Sequence, residues 1–546
     1  MNAFVDKACG PALAHLAERF GDRQALKYQG RSWTFREVKG EVDRASARLV
    51  SLGLQPGDKV AVWMPNRPEY LWVWLGAAQI GLVAVLLNTR LKRDEITYQL
   101  RQSEAAAVVV PGPGAFRDFL GDLRAICPEA AAGTLRAGGC AALPSLRHVV
   151  CVDAAGPGAV SPIEWSRIAA SDAPLRYVTD VDQPAQIAYS SGTTALPKGA
   201  LLTHRMWRKA ADHGGRFMQT AEDRLYLCVP LFGILANVNG VLTFWSRGSC
   251  VVLAERFEAE VALTDLAAER CTVTYLLPIM VEQMLAHPRF REFDLSALRT
   301  GLVATNNPAI LEAAVTRFGM REMFASYGMT ETSSAVTRTF ATEPLEVRIN
   351  TQGRPLPDIE VRIADPETGA AVGPGVVGEI QVRGYPVTPG YYNDPAATRA
   401  AFTADGWFKT GDAGSLRADG NLQFAQRLRD GYKHNGFNVA TAEVEFALIQ
   451  HPDIEAAAVL GMPDGAHGEV GVAFVVMRGG APLDAGAVVA FLEPRLASYK
   501  LPRHVFAVDE LPLTGGTGRV QKFRLKAQAA ELIARVPAAR HGHGND

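Results

Sequence analysis

The chain has 546 residues, of which 48% are hydrophobic and 21% charged, a composition that indicates an ordinary globular protein and excludes a disordered or fibrous one. At about 100 to 200 residues per domain, this length allows three or four folding units, or several subdomains of one protein. The formal net charge of −1 gives no electrostatic reason to expect nucleic acid or an anionic membrane as the main partner.

The cysteines and the N-terminal sequence indicate a reducing compartment. The 7 cysteines are scattered, odd in number and never in CxxC spacing, so neither a disulfide framework nor a zinc site is expected. Asp6 and Lys7 lie where a signal peptide would need its apolar region. The sequence therefore predicts a cytoplasmic protein.

The first predicted helix begins at a capping box. Thr34 and Glu37 have the required spacing, and apolar residues then recur on one helical face as far as Gly53. A strand, Val60–Met64, is expected after the turn that follows.

One uncharged run, Leu71–Thr89, is long enough to cross a bilayer. Gly76 and Gly81 interrupt it, which favours a buried helix that ends near Gly81 and a buried strand, Leu82–Leu87. We therefore expect no transmembrane segment here.

Short apolar runs alternate with stretches of helical length in the rest of the N-terminal part. The predicted strands are Ala106–Val110, His148–Val152, Cys250–Leu253 and Thr272–Leu277, and the predicted helices are Val261–Glu269 and Ile310–Arg317. Such alternation indicates largely parallel sheets covered by helices. The Ala- and Gly-rich stretch 130–142 is expected to be a surface connection.

The pattern changes near Arg429–Gly431, where we place a domain boundary. The predicted elements beyond it are the helices Ala442–Gln450 and Ala485–Leu496 and the strands Ala456–Leu460, Val470–Met477 and His504–Val508. The predicted fold class is α/β, with a large N-terminal domain of helix-covered β-sheets, residues 1–429, and a small mobile α+β domain, residues 430–546.

The stretch YSSGTTALPKGALLTH, residues 189–204, has the composition of a phosphate-binding loop. It offers the hydroxyls of Ser190, Ser191, Thr193 and Thr194, the flexible Gly192 and the cation Lys198. A turn with free backbone N–H groups and such side chains can hold phosphate. It is not a Walker loop, because Pro197 stands where the second glycine should be and Gly199 follows the lysine. Alone, the stretch is also compatible with a solvated Ser/Thr turn.

Further segments, in the same order, resemble the motifs of the adenylate-forming superfamily, which includes acyl-CoA synthetases, luciferases and the adenylation domains of nonribosomal synthetases. Residues 189–204 resemble its phosphate loop, Tyr327–Glu331 its adenine and magnesium motif, Gly406–Asp412 its ribose motif, Arg427–Asp430 its hinge, Gly436–Val439 with Glu443 the segment after it, and Pro512–Lys522 its C-terminal catalytic loop. Each motif is weak alone, whereas all of them in register are specific.

This resemblance implies an ATP-dependent acid–thiol ligase, an acyl-CoA synthetase. A carboxylate attacks the α-phosphorus of ATP to give acyl-AMP and pyrophosphate, and the thiol of CoA then takes the acyl group as AMP leaves. The implied cosubstrates are ATP, Mg²⁺ and CoA, with no tightly bound metal or flavin. Because both steps concentrate negative charge, the site needs cations and N–H donors more than a nucleophilic side chain.

The resemblance also implies a role for each matching residue. The β- and γ-phosphates would be held by Ser190, Ser191, Gly192, Thr193, Thr194 and Lys198, the α-phosphate by Thr330, Mg²⁺ by Glu331, adenine by Tyr327, and the ribose by Asp412 and Arg427. Asp430 matches the hinge, and Lys433 and Gly436 match the lining of the thiol tunnel. Singly, Asp412 is equally compatible with a turn residue and Tyr327 with a core aromatic.

The C-terminal loop departs from the family pattern. It has Arg519 where the family has the lysine that bridges the substrate carboxylate and the α-phosphate, and it is one residue longer. Arginine keeps the charge but not the compact ammonium geometry. Three alternatives stay open: Arg519 serves, Lys522 reaches in, or adenylation is slow.

The acyl pocket is predicted from position to be mostly apolar with one or two amides. Its candidate residues are Phe232, Asn237, Val303, Asn306 and Met329. These residues suit a medium-chain, alicyclic or aromatic carboxylic acid, with or without a further oxygen besides the carboxylate. No nearby acidic residue stands out to pair an α-amino group, which disfavours amino-acid activation.

Two other functions remain open. One is an acyl-AMP ligase that loads a carrier protein, and the other is a silenced homologue that binds nucleotide or acyl ligand without turnover, because Ala195 and Arg519 replace usual family residues. The expected partners are the acid, ATP and CoA, without nucleic acid. A homodimer would be unsurprising.

Overall fold

The computed structural model describes residues 2–131, 139–153, 163–190, 196–216, 218–305, 307–428, 431–512 and 520–535, apart from the side chains of residues 130, 131, 426, 427 and 523. These residues form two compact units. One is drawn from Met1–Ser190 and Pro197–Leu428, and the other from Ser191–Leu196 and Arg429–Asp546.

The strands are numbered in chain order. They are β1 Gln24–Tyr28, β2 Arg31–Thr34, β3 Lys59–Val62, β4 Val83–Leu86, β5 Ala105–Val110, β6 His148–Cys151, β7 Ile163–Glu164, β8 Pro184–Ser190, β9 Lys198–Thr203, β10 Arg224–Leu227, β11 Cys250–Leu253, β12 Val273–Leu276, β13 Thr300–Val303, β14 Ser326–Met329, β15 Ser334–Arg338, β16 Arg354–Pro355, β17 Ile359–Ala364, β18 Gly378–Gly384, β19 Phe408–Leu416, β20 Leu422–Arg427, β21 Gly431–His434, β22 Phe437–Ala440, β23 Ile454–Asp464, β24 Gly468–Met477 and β25 His504–Ala507.

The α-helices are numbered in the same way. They are α1 Cys9–Phe20, α2 Phe35–Ser51, α3 Pro68–Gln79, α4 Arg93–Gln102, α5 Phe119–Ile126, α6 Pro128–Ala131, α7 Met206–Arg216, α8 Thr243–Trp245, α9 Ala259–Ala268, α10 Pro278–Ala286, α11 Pro308–Thr316, α12 Leu345–Asn350, α13 Pro395–Ala401, α14 Thr441–Leu448, α15 Ala485–Leu492 and α16 Lys522–Arg535. A π-helix spans Leu235–Leu242.

Two mostly parallel sheets dominate the first unit. One has the order β7–β6–β5–β3–β4–β8–β9 and the other β13–β12–β10–β11–β1–β2. In the first sheet only β9 runs antiparallel to its neighbour. All the residues of β5, Ala-Ala-Ala-Val-Val-Val, are buried, which is the pattern of a strand covered on both faces. The predicted α/β fold class is confirmed.

The capping box and the buried helix–strand pair are also confirmed. Thr34 Oγ1 accepts a hydrogen bond from the Glu37 N–H at 3.2 Å, and the Thr34 N–H donates to Glu37 Oε2 at 2.7 Å. The uncharged run folds as the almost fully buried α3 and as β4, with a turn at Gly81 between them. None of the helices in the described ranges has the length and apolarity that a bilayer crossing requires.

The structure also contains two antiparallel sheets, whereas the sequence analysis expected largely parallel ones. They have the orders β14–β15–β16 and β17–β18–β19–β20. In β17 the buried Ile359 and Ile363 lie on one face of the strand, and the exposed Glu360 lies on the other. One face is therefore buried and the other solvated, as antiparallel sheets allow. These strands carry the second half of the candidate site.

The second unit is built on β22–β21–β24–β23, with β25 parallel to β24. The β21–β22 hairpin turns through Asn435 and Gly436, whose φ values of 47° and 83° are those that a two-residue hairpin turn requires. Helix α15 ends at Leu492, earlier than the predicted Leu496, because Pro494 cannot donate a backbone hydrogen bond.

Candidate functional site

Strands β8 and β9 place a hydroxyl and an ammonium next to each other. Ser190 ends β8 and Lys198 begins β9, and the two are Cα partners in the antiparallel pair. Ser190 Oγ donates to Glu331 Oε1 at 2.7 Å, and Lys198 Nζ lies 5.4 Å from the centroid of the Tyr391 ring. The structure therefore brings together the predicted phosphate and magnesium motifs.

The Glu331 carboxylate is 3% exposed and only partly satisfied. Its Oε1 accepts from Ser190 Oγ and from the Tyr391 hydroxyl at 3.0 Å, whereas its Oε2 is buried and has no hydrogen-bond partner among the described residues. A buried carboxylate oxygen without a donor or cation costs free energy. Because Mg²⁺ prefers carboxylate oxygen, this group fits the predicted metal-binding role.

The backbone around Glu331 is unusually tight. Thr330–Thr332 form a 3₁₀ turn, after which Ser333 and Ser334 take left-handed φ values of 51° and 83°. Such conformations cost about 1 to 3 kcal/mol each and are common at functional sites. A Cβ at Gly328 would lie 2.1 Å from the Ser334 carbonyl oxygen, so only glycine lets β14 and β15 approach this closely.

The predicted adenine and ribose residues contact each other directly. The Tyr327 hydroxyl donates to Asp412 Oδ2 at 2.7 Å, and each residue is 7% exposed. The Tyr327 ring stacks on Phe424, with a centroid distance of 6.3 Å and an interplanar angle of 28°. Arg427 is the Cα partner of Asp412 in the β19–β20 pair, and its side chain lies outside the described part.

Asn237 is the clearest polar group among the candidate acyl-pocket residues. It lies in the π-helix, a distortion that is frequent at functional sites. Its Nδ2 donates to the Leu231 carbonyl at 2.9 Å, and its Oδ1 is buried without a partner among the described residues. An acceptor is therefore available at this position.

The other acyl-pocket candidates lie on different elements. Phe232 and Met329 are half-buried, and Val303 is buried at the end of β13. Met329 packs against a cluster that contains Tyr391, which places it beside Glu331. Asn306 lies outside the described residues, and the shared pocket stays a prediction.

Three of the C-terminal candidate residues lie in the described part of the second unit, and each has a different environment. Lys522 Nζ lies 2.7 Å from Glu445 Oε1 and donates to Thr441 Oγ1 at 2.8 Å, so α14 holds it within the second unit. Lys433 is an exposed residue of β21, whose N–H donates to Glu469 Oε2 at 2.8 Å. Gly436 lies in the hairpin turn.

Several predicted residues lie outside the described residues. They are Ser191, Gly192, Thr193, Thr194, Ala195, Asp430 and Arg519. Their roles stay predictions.

Tyr391 was missed by the sequence analysis. Besides its bond to Glu331, it pairs with Ala200 through an isolated β-bridge that attaches its segment to β9. The two tyrosines in Gly390-Tyr391-Tyr392 carry no spacing signal, so only the fold reveals which one reaches the carboxylate.

Comparison with known proteins agrees with this geometry. Residues 13–392 match the AMP-binding enzymes and residues 443–517 the AMP-binding enzyme C-terminal domain. The 3-[(3aS,4S,7aS)-7a-methyl-1,5-dioxo-octahydro-1H-inden-4-yl]propanoyl:CoA ligase of Mycobacterium tuberculosis (strain ATCC 25618 / H37Rv) is 35% identical over 94% of this chain and 97% of its own length. A mitochondrial medium-chain acyl-CoA ligase of Mus musculus is 31% identical over 97% and 88%, respectively.

A solved structure is similar over nearly its whole length. The amide bond synthetase of Marinactinospora thermotolerans has a TM-score of 0.80 and 28% identity, covering 95% of this chain and 99% of its own. The family matches together span most of the sequence, and the relatives are aligned over almost all of it. The chain therefore belongs to the AMP-binding enzymes of the adenylate-forming superfamily and is an acyl-CoA synthetase of the AMP-forming CoA ligase type.

Proposed function

We propose that the enzyme activates a medium-chain, alicyclic or aromatic carboxylic acid with ATP and transfers the acyl group to CoA. The observation that carries the proposal is the Glu331 carboxylate, which joins the end of β8 to the adenine motif and keeps one buried oxygen without a partner among the described residues. Adenylate-forming ligases use ATP and CoA, usually with Mg²⁺.

In the first half-reaction, ATP would bind with its triphosphate on the β8–β9 loop. Lys198 and the Ser and Thr hydroxyls within residues 190–194 would meet the β- and γ-phosphates, and the Thr330 hydroxyl would meet the α-phosphate. Glu331 would hold Mg²⁺, which would neutralise part of the negative charge of the phosphates. Asp412 would accept both ribose hydroxyls, with Arg427 donating to them and Tyr327 next to the adenine.

We assign the cation that meets the acid carboxylate to Arg519 rather than to Lys522. The contacts of Lys522 with Glu445 and Thr441 support this choice, because the ammonium would have to leave both partners to reach a substrate. A guanidinium is always charged at physiological pH and can bridge two oxygens at once. Arg519 can therefore stabilise the developing charge with a different geometry from that of lysine.

In the second half-reaction, the thiol of CoA attacks the acyl carbon and AMP leaves. We propose that the second unit turns about Asp430 between the two steps, and that Lys433 and Gly436 line the path of the thiol. Relatives named as CoA ligases support CoA over a carrier protein as the acceptor.

The substrate class rests on the relatives and on the pocket candidates. The Mycobacterium tuberculosis relative is named for a bicyclic propanoic acid with two ring ketones, and the Mus musculus relative for medium-chain acids. Asn237, whose buried acceptor oxygen has no partner among the described residues, supports an acid that carries a hydrogen-bond donor such as a hydroxyl group.

The test is acid-dependent release of pyrophosphate with and without CoA, across medium-chain, alicyclic and aromatic acids. We expect multiple turnovers only with CoA, an at least 100-fold lower rate in Arg519→Ala, and nearly native turnover in Lys522→Ala. Lys526→Ala, on the exposed side of α16, is the matched control for removal of a lysine from that helix.

Two results would contradict the proposal. A single turnover with CoA, followed by acyl transfer to a carrier-protein phosphopantetheine, would indicate an acyl-AMP ligase. ATP binding without pyrophosphate release for any acid would indicate the silenced homologue, and recovery of release in Arg519→Lys would then identify the residue at which activity was lost.

A further inference from the structure

A short segment of the first unit contacts both halves of the candidate site through its backbone. Residues 388–391 lie between β18 and α13, and we call them the bridging segment. At its start, the Thr388 N–H donates to the Glu331 carbonyl at 2.7 Å, and the Thr388 hydroxyl donates to the Leu201 carbonyl of β9, also at 2.7 Å. Thr388 is 3% exposed, so these bonds lie in the interior. The bridging segment therefore begins at the predicted magnesium motif.

The rest of the bridging segment pairs with β9, the strand that begins at Lys198. The Leu201 N–H donates to the Gly390 carbonyl at 3.0 Å, and Ala200 forms the isolated β-bridge with Tyr391. The backbone that follows Lys198 is therefore held by the same segment that holds the magnesium motif.

The Tyr391 side chain contacts both charged groups of the site. Its hydroxyl donates to Glu331 Oε1 at 3.0 Å, and the Lys198 ammonium lies 5.4 Å from the centroid of its ring. Tyr391 is 8% exposed and packs in a cluster with Ala200 and Phe408, so its ring has little freedom to move. One rigid aromatic side chain thus contacts the predicted metal ligand and the predicted cation of the triphosphate site.

The Tyr391 hydroxyl helps to decide which oxygen of Glu331 is left for a metal. Oε1 accepts from both Tyr391 and Ser190, whereas Oε2 has no partner among the described residues. A carboxylate with one oxygen held by two donors cannot rotate without losing them, so its other oxygen keeps a fixed position. Groups that orient a metal ligand in this way contribute about 10- to 100-fold to metal affinity.

The Tyr391 ring has a separate effect on Lys198. A cation within about 6 Å of a ring centroid is attracted to the face of the ring, and the attraction is stronger where water is excluded. Lys198 is half-buried, so its ammonium is partly shielded. Because the ring is neutral, it orients the Lys198 side chain and leaves the positive charge available for an anion.

We propose that Tyr391 positions Glu331 through its hydroxyl and Lys198 through its ring, so that one side chain couples metal binding to triphosphate binding. Tyr391 is a positioning residue, because it acts through these two groups. This inference rests on the proposed function and deepens it, since Glu331 must meet Mg²⁺ and Lys198 must meet phosphate. The hydroxyl and the ring should therefore have separable effects.

The experiment measures nucleotide binding instead of turnover. The probe is α,β-methylene ATP, which cannot release pyrophosphate, and AMP is the comparison because it lacks the β- and γ-phosphates. Calorimetry on the full chain gives Kd for the probe in EDTA and in Mg²⁺, and we call the ratio of the first Kd to the second the Mg²⁺ gain. The variants are Tyr391→Phe and Tyr391→Leu. Tyr392→Phe is the matched control, because the Tyr392 hydroxyl donates to Glu104 and not to Glu331.

In Tyr391→Phe we expect the Mg²⁺ gain to fall about 10-fold or to disappear, with the Kd in EDTA within about twofold of native. Tyr391→Leu also removes the ring and should in addition weaken the probe in EDTA by about two- to fivefold. The Kd of AMP should stay near the native value in both variants. Tyr392→Phe should keep the native Mg²⁺ gain.

A double variant separates positioning from a general loss of structure. If Tyr391 acts on the metal through Glu331, combining Tyr391→Phe with Glu331→Gln should give the same Mg²⁺ gain as Glu331→Gln alone. Independent effects would instead multiply.

Four results would overturn the inference. They are a native Mg²⁺ gain in Tyr391→Phe, a native Kd in EDTA for Tyr391→Leu, an equal loss for the probe and for AMP, and, without any variant, binding of the probe by the native chain with no Mg²⁺ gain. Failure of the native chain to bind the probe at all would reject the proposed function as well.

Discussion

Replacement of Glu331 by glutamine tests the metal-binding role while changing the fold least. Glutamine has the same shape, and its Oε1 can still accept from the Ser190 and Tyr391 hydroxyls, at 2.7 and 3.0 Å in the native chain. The amide nitrogen would replace the buried Oε2, which has no partner among the described residues. We therefore expect the free energy of unfolding to change by less than about 1 kcal/mol.

The effect on activity should be much larger, because an amide is a neutral and weaker ligand for Mg²⁺ than a carboxylate. Loss of a residue that merely orients a metal ligand costs about 10- to 100-fold, so loss of the ligand charge itself should cost about 100- to 1000-fold. The assay is pyrophosphate release in Glu331→Gln at increasing Mg²⁺, where partial recovery at high Mg²⁺ is expected.

Two further variants make this test specific. Glu343→Gln is the matched control, because Glu343 is another shielded carboxylate of the first unit, which accepts the Phe340 N–H at 2.7 Å, and it should retain native activity. Tyr391→Phe removes one hydrogen bond to Glu331 and should show a smaller loss. Native activity with an unchanged Mg²⁺ dependence in Glu331→Gln would refute the assignment.

Three other substitutions address the nucleotide site, the catalytic cation and the fold. Asp412→Asn should raise the KM for ATP by about 10- to 100-fold in the pyrophosphate assay, because an amide accepts less strongly from the ribose hydroxyls, and an unchanged KM would reject the ribose role. Lys522→Ala should keep pyrophosphate release within about threefold of native, since α14 already holds Lys522; a 100-fold loss would show that this lysine reaches the substrate. Thr34→Ala should lower the free energy of unfolding by about 1 kcal/mol in urea, with unchanged turnover, and no change in stability would contradict the capping argument.

The elements that the sequence predicted best are those whose pattern is local. The capping box of α2, the break at Gly81 and the strand Cys250–Leu253 each follow from a few neighbouring residues, and each is present. The phosphate and magnesium roles of Ser190 and Glu331 stay predictions, and the bond from Ser190 to Glu331 could not be predicted from the sequence. That bond joins residues 141 positions apart and depends on how two sheets pack.

What the sequence could not predict is set by long-range packing. Tyr391 reaches Glu331 only because a β-bridge attaches its segment to β9. Whether a sheet is parallel or antiparallel depends on which strands pair, and the residue pattern of a single strand does not determine its partner. Lys209 and His213 resemble ordinary polar positions of a surface helix, and only the structure shows that this face of α7 is buried. Their i, i+4 spacing was the one available signal, and it does not report burial.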